Sequence, residues 1–339
     1  SRVNKTSKNS EIAPISADTV YDIAGLTAGI VTTTIMMILA ERGRIRLDER
    51  VARYLQGFGV LGKSPVTIAH LLSHTSGLPH WHPFFEELLK ENGSSRMGIL
   101  TSRGAKEYIL TSILRSPLKG EVGAKSIYSD VGLILLGCLI EGATGLPLDK
   151  AATRMVFHPL YMRSTSYIDL SRIKRGIHPV TDLIAPTEEC SWRERVLCGE
   201  VHDDNAWALG GIAGHSGVFS TAGDLHLFAQ EMLNVWEGKS NFIKMETLHA
   251  FLEGIMVSHQ GSVKLGWDSP TKDNGMIDTG LSEESFGYNG FTGCSLWIDP
   301  VNKLDIVLMT NRIHPSRNNK KIQTFRPELH RAIFSALSA

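Results

Sequence analysis

Three short stretches carry residues whose types and spacing could do chemistry. Gly214-His215-Ser216-Gly217 sets a serine beside a histidine between glycines. That approaches the G-x-S-x-G turn which exposes a nucleophilic serine, but the full pattern needs glycine at 218, where Val218 stands. His80-Trp81-His82 offers two imidazoles. A zinc site needs three or four ligands, so this pair reads as surface loop and no metal is expected. Glu200-Val201-His202-Asp203-Asp204-Asn205 places His202 beside Asp203. The two read either as a structural hydrogen-bonded pair or as substrate contacts forming a proton relay. Cys138, Cys190, Cys198 and Cys294 form no CxxC pair and have no zinc spacing. Free buried thiols are the expectation, and a Cys190–Cys198 disulfide stays open.

These residues need a scaffold. Ala28 to Ala40 is an apolar run with three threonines, too short for a membrane span and suited to a buried core helix that Gly43 ends. Leu47 to Tyr54 is a short amphipathic segment. Helical spacing recurs over Val66 to Leu72, Gly104 to Leu114, Val131 to Ile140 and Leu148 to Phe157. Residues 160 to 210 are irregular, and a long ordered loop beside a binding site is expected there. Asp224 to Val235 is a helix with Thr221 or Asp224 as its N-cap. Cys294 to Ile298 and Leu304 to Met309 are strand-like and flank Asp299-Pro300-Val301-Asn302-Lys303, a hairpin signal. Phe325 to Leu337 is a closing helix. Residues 1 to 17 are polar and read as a lead-in.

Composition excludes little except nucleic acid. Among 339 residues, 35 Lys and Arg balance 35 Asp and Glu, leaving no basic excess for a phosphate backbone. Hydrophobic residues at 42% are ordinary for a globular chain long enough to bury a sizeable core.

Leu71-Leu72-Ser73-His74-Thr75-Ser76-Gly77-Leu78-Pro79 resembles the LLxHTSGLP signature of the class C β-lactamase, DD-peptidase and esterase family. Ile45 to Leu55, Tyr128 to Ile140, Gly210 to Asp224 and Phe291 to Pro315 resemble further segments of that family. The likeness runs from about Thr19 to the C-terminus. It implies an α+β, β-lactamase/transpeptidase-like fold: an antiparallel sheet domain from residues 1–60 and 206–339, and a mostly helical domain from 61–205. The cleft lies between them. It further implies no cofactor and a periplasmic or extracellular setting; oligomeric state is left open. His74, inside the signature, is read as fixing a turn. The family has a helix and two strands ahead of its first motif, whereas about 20 residues precede Gly25, so either a sheet short of strands or a truncated chain is expected.

Three motifs surround the cleft in this family. Ser-x-x-Lys opens the core helix, both side chains on one face. A tyrosine relays protons. A Lys-Thr-Gly or His-x-Gly strand faces the substrate carboxylate, with a nearby N–H in the oxyanion hole. Mapped by resemblance, the nucleophile position is Gly25 and the lysine position Ala28. Tyr128 keeps the second motif, with Asp130 where many members carry Asn. The third motif is Tyr288-Asn289-Gly290, with Phe291 following. Tyr128 and Asp130 are therefore the surviving catalytic candidates, and His202, Asp203, Gly290 and Phe291 the candidate substrate contacts. Thr27, two residues past Gly25, is expected to turn away from the cleft. Glycine has nothing to acylate and alanine no amine, and losing a nucleophile costs about 10⁶ in turnover. Two readings follow. The chain is an inactive representative of a hydrolase of peptidoglycan peptides, β-lactams or small esters. Or it is a pseudoenzyme that binds such ligands, or a protein partner, without turnover. The gene's own residues at 25 and 28 would separate them.

Overall fold

A run of small and branched apolar residues becomes the central helix. The computed structural model describes residues 2–3, 13–91, 103–257 and 261–338; much of the polar lead-in lies outside them. A π-helical stretch, Ala28–Thr33, runs into α1, Thr34–Glu41, and Gly43 follows at φ +64°. Ala28, Val31, Ile35, Met36 and Met37 are each 0% exposed. The widened turn has an identifiable cause. The Thr34 hydroxyl donates to the Gly29 carbonyl five residues back, at 2.9 Å. Thr32 and Thr33 donate outward instead, to the carbonyls of Gly214 (2.6 Å) and Gly266 (2.8 Å). Two of three consecutive threonines thus tie the core helix to later loops, while the third widens its turn.

The remaining helices are α2 (Ile68–Leu72), α3 (Phe84–Glu91), α4 (Arg103–Arg115), α5 (Asp130–Thr144), α6 (Leu148–Ala152), α7 (Leu170–Lys174), α8 (Asp204–Ala208), α9 (Ala222–Trp236), α10 (Met245–Glu253) and α11 (Ile322–Leu337). The strands are β1 (Arg2–Val3), β2 (Ala13–Pro14), β3 (Tyr21–Asp22), β4 (Ser166–Tyr167), β5 (Glu189–Cys190), β6 (Arg195–Val196), β7 (Val218–Ser220), β8 (Ile255–Val257), β9 (Gly261–Val263), β10 (Phe286–Asn289), β11 (Ser295–Asp299) and β12 (Leu304–Leu308). β10, β11 and β12 form one antiparallel sheet, with Tyr288 opposite Leu296. All five residues of β11 are buried, and α9 packs on β11 and β12. A second antiparallel sheet, β3-β7-β4, stands behind the start of the core helix.

Most sequence expectations match, with local corrections. Thr221, not Asp224, caps α9 by accepting from the Asp224 amide at 3.3 Å. Asp224 is spent on the Ser164 amide and the Thr165 hydroxyl, both at 2.7 Å. Leu148 to Phe157 splits, its second half being a π-helical turn over Thr153–Phe157. Leu47 to Tyr54 reduces to a 3₁₀ turn, Val51–Arg53. All four cysteines are free: β5 and β6 set Cys190 opposite Arg195, and the Cys198 thiol contacts the Ile184 carbonyl. Among the described residues no single helix is long and apolar enough to cross a membrane.

Candidate functional site

The site begins with a turn that the backbone cannot make cheaply. β3 ends at Asp22, and Ala24 then takes φ +46°, a left-handed conformation costly for a residue with a side chain. Asp22 holds the turn: its buried carboxylate accepts the Ala24 amide at 2.9 Å and the His202 amide at 2.7 Å. Burial raises its pKa, and those two amide bonds work against the rise. Gly25 is thereby placed at the head of the core helix, half-buried and facing a cleft of about 420 Å³. Apart from the chain immediately flanking it, a Cβ built on Gly25 would meet a single group within 4 Å, the Tyr128 hydroxyl at 3.8 Å.

Tyr128 sits just before α5, whose N-cap Ser129 accepts from the Gly132 amide at 3.1 Å. His74, at φ +58°, fixes the approach by accepting the Ser129 amide at 3.3 Å through Nδ1. Burial drives its own pKa down to about 4, so it stays a neutral turn-former. Burial raises the pKa of both Tyr128 and Asp130, and the nearby Asp130 carboxylate raises Tyr128 further.

Asp203 and His202 do not pair with each other, which corrects one sequence expectation. Asp203 is the N-cap of α8 and accepts the Ala206 amide at 2.7 Å. Neighbouring residues at a cap point apart, so His202 turns to Glu188 at 2.9 Å and Asp203 to His215 at 2.9 Å. Burial opposes charge on the Asp203–His215 pair, yet mutual attraction prevails: Asp203 is held down to about 2 and His215 is raised. Glu188 also accepts from Arg317 and is held down to about 2 by that hydrogen bond and by His202, against its burial.

The lysine and third-motif positions are closed off. Ala28 is fully buried. Tyr288 is 3% exposed, and its hydroxyl donates to the Gly266 carbonyl at 2.9 Å. Trp267 and Tyr288 press on the helix so closely that a Cβ at Gly29 would lie 2.6 and 2.9 Å from their rings. Beside them, burial pushes Asp268 up to about 7. Asn289 is used structurally, accepting from Trp297 Nε1 at 3.0 Å and donating to the Asn274 carbonyl at 3.2 Å. Gly290 must lack a side chain, because a Cβ there would sit 2.9 Å from the Ile23 carbonyl oxygen. Phe291, 51% exposed, stacks on His202 with Arg312 on it at 4.3 Å.

The cleft therefore brings together Gly25, Tyr128, Asp130, His202, Asp203, Asn289 and Phe291. Thr27 is buried and bonded to the Val218 amide at 3.3 Å, away from it. Sequence reading did not name as site residues seven that line the cleft: Ala24, His80, Trp81, Asp204, His215, Ser216 and Arg317. His80 and Trp81 were read as surface loop, but His80 Nδ1 bonds the Tyr128 carbonyl at 2.7 Å and draws its neighbour to the rim. His82 leaves the cleft to meet Glu87 at 2.6 Å. The available signal for His215 was its glycine-rich setting. A Cβ at Gly214 would lie 2.1 Å from the Leu133 carbonyl, so the loop runs against α5 and carries His215 inward.

A family model described as Beta-lactamase matches residues 4–328. The chain belongs to the Beta-lactamase family. It is similar to a protein of Escherichia coli K12 named "Putative D-alanyl-D-alanine carboxypeptidase", 31% identical over 322 residues, covering 89% of this chain and 71% of that one. An N-acetylmuramyl-L-alanine amidase of Bacillus subtilis strain 168 is 29% identical over 320 residues, covering 89% and 70%. Among solved structures, unliganded simvastatin synthase from Aspergillus terreus has a TM-score of 0.69 at 20% identity, covering 98% of this chain and 88% of its own. A penicillin-binding protein from Bacillus halodurans has a TM-score of 0.65 at 19% identity, covering 93% and 87%. These structures show the fold: a β-lactamase/transpeptidase-like, mixed α+β architecture.

Proposed function

We propose that this chain is a non-acylating member of its family, which binds a small-molecule or peptide ligand in the cleft without forming an acyl-enzyme. The observation that carries the reading is Gly25, which puts bare backbone opposite the Tyr128 hydroxyl where the family has its nucleophile. Ala28 supports it, being both amine-free and fully buried. Nucleophile and activator act as a unit, and neither is present. The named relatives favour peptidoglycan-like peptides as a starting set of ligands, with β-lactams and small esters beside them.

Incubation with a fluorescent penicillin followed by intact-mass spectrometry tests this. The expected result is an unchanged mass. A stoichiometric increase mapping to the cleft would overturn it.

A further inference from the structure

Three positions around the cleft differ from the family pattern in the same electrical sense. The resemblance gives lysine, asparagine and lysine or histidine where this chain has Ala28, Asp130 and Tyr288. Each exchange removes a basic group or adds an acidic one. Ala28 is buried, and the Tyr288 hydroxyl is committed to the Gly266 carbonyl, so neither presents a cation to an anionic ligand.

The basic side chains that remain in the cleft already have partners. His215 is paired with Asp203 at 2.9 Å. Arg317 is paired with Glu188 at 2.6 Å and Asp204 at 3.5 Å. His202 also meets Glu188, and His80 is bonded to the Tyr128 carbonyl. Asp130 is different. Its carboxyl group lies near the Tyr128 hydroxyl, and it enters none of the ion pairs among the described residues. His215 lies near enough to act on Asp130 as well, but its ion pair is with Asp203, so one imidazolium faces two carboxylates and Asp130 has no ion-pair partner of its own.

Two more groups mark a built site. Ser216 Oγ and His215 Nδ1 have no hydrogen-bond partner, although these residues are only 3% and 2% exposed and line the cleft. Unsatisfied buried polar groups are costly, and a ligand supplying partners would offset that cost. Trp81 and Phe291, 43% and 51% exposed, form an apolar rim.

We propose that the cleft binds an organic ammonium ligand, its head group on the Asp130 carboxylate and the Ser216 hydroxyl and its apolar body against Trp81 and Phe291. An ammonium has three donors and no acceptor, which suits a carboxylate and a free hydroxyl oxygen together. The exposed Trp81 ring adds attraction for a cation, whereas Phe291, already carrying His202 and Arg312, supplies apolar edge. A carbonyl or hydroxyl beside the amine would serve as acceptor for His215 Nδ1. The inference rests on the reading that this cleft binds without acylating.

Benzylammonium, benzoate and benzyl alcohol share a ring and differ in charge, so they serve as probes. Titration calorimetry on the full chain should show benzylammonium binding at least about tenfold tighter than the other two, the scale of one charge-assisted bond. Asp130→Asn, which puts the family's own residue there, should remove that preference. Asp130→Glu should keep part of it, and Ser216→Ala should weaken binding a few-fold. Equal or tighter binding of benzoate, an unchanged preference in D130N, or no binding of any probe would overturn the proposal. The penicillin adduct experiment fails separately, since a covalent adduct would sink the non-acylating reading without altering the amine preference measured here.

Discussion

The Tyr128 hydroxyl lies 3.8 Å from the point where a side chain on Gly25 would begin, and apart from the chain immediately flanking Gly25 no other group stands within 4 Å of that point. The second-motif residue is therefore aimed at an unfilled place. Gly25 does not hold a positive φ, so the position would accept a side chain without backbone strain.

Gly25→Ser should therefore fold as well as the parent chain, within about 1 kcal/mol, because replacing glycine at a compatible site restricts the unfolded chain. Ala28→Lys should destabilise by about 1–3 kcal/mol, since that side chain must enter a closed core beside α1. Chemical denaturation of each single variant reads both numbers.

Together, Gly25→Ser and Ala28→Lys should restore partial hydrolysis of p-nitrophenyl acetate. The two positions lie one turn apart at the head of the core helix, with Tyr128 opposite. Neither substitution alone should suffice. Tyr288 supplies no base, so adding Tyr288→His should raise the rate further. A folded double variant at the background rate would show that the closed wall of Trp267 and Tyr288 prevents the lysine from reaching the serine.

Gly29→Ala should cost about 1–3 kcal/mol by overpacking. Its Cβ would meet Trp267 at 2.6 Å and Tyr288 at 2.9 Å, and both rings are buried. A denaturation midpoint equal to the parent's would mean that this wall yields.

The Asp203–His215 pair makes stability depend on pH in a defined window. Asp203, depressed to about 2, contributes above its unfolded range and loses that contribution as pH falls through its folded value. His215, raised, contributes fully below its unfolded pKa of about 6.5 and loses that as pH climbs through its folded value. The cost of Asp203→Asn should be largest between about pH 4 and 6.5 and smaller at pH 9. Urea denaturation of parent and variant at pH 5.5 and 9 measures the difference.

Local chemistry made much of this molecule readable in advance. The helix over Ala28 to Ala40, the break at Gly43, the hairpin around Asp299-Pro300 and the turn at His74 follow from apolar runs, glycine and proline acting over a few residues. The signature around His74 gave the family, and resemblance of separate segments suggested the roles of Gly25, Ala28, Tyr128 and Tyr288. Contacts between distant segments were beyond such reasoning. Asp203 chose His215 over its neighbour His202 because a helix cap turned the two side chains apart. His80 and Trp81 reached the cleft through one bond to a carbonyl 48 residues away. Ser216, rejected as a nucleophile on its pattern, became a partnerless hydroxyl because Gly214 lets its loop run against α5. Sequence spacing reports which groups lie along one strand or helix. Which charges meet across a cleft depends on how separate elements pack, and only the folded chain determines that.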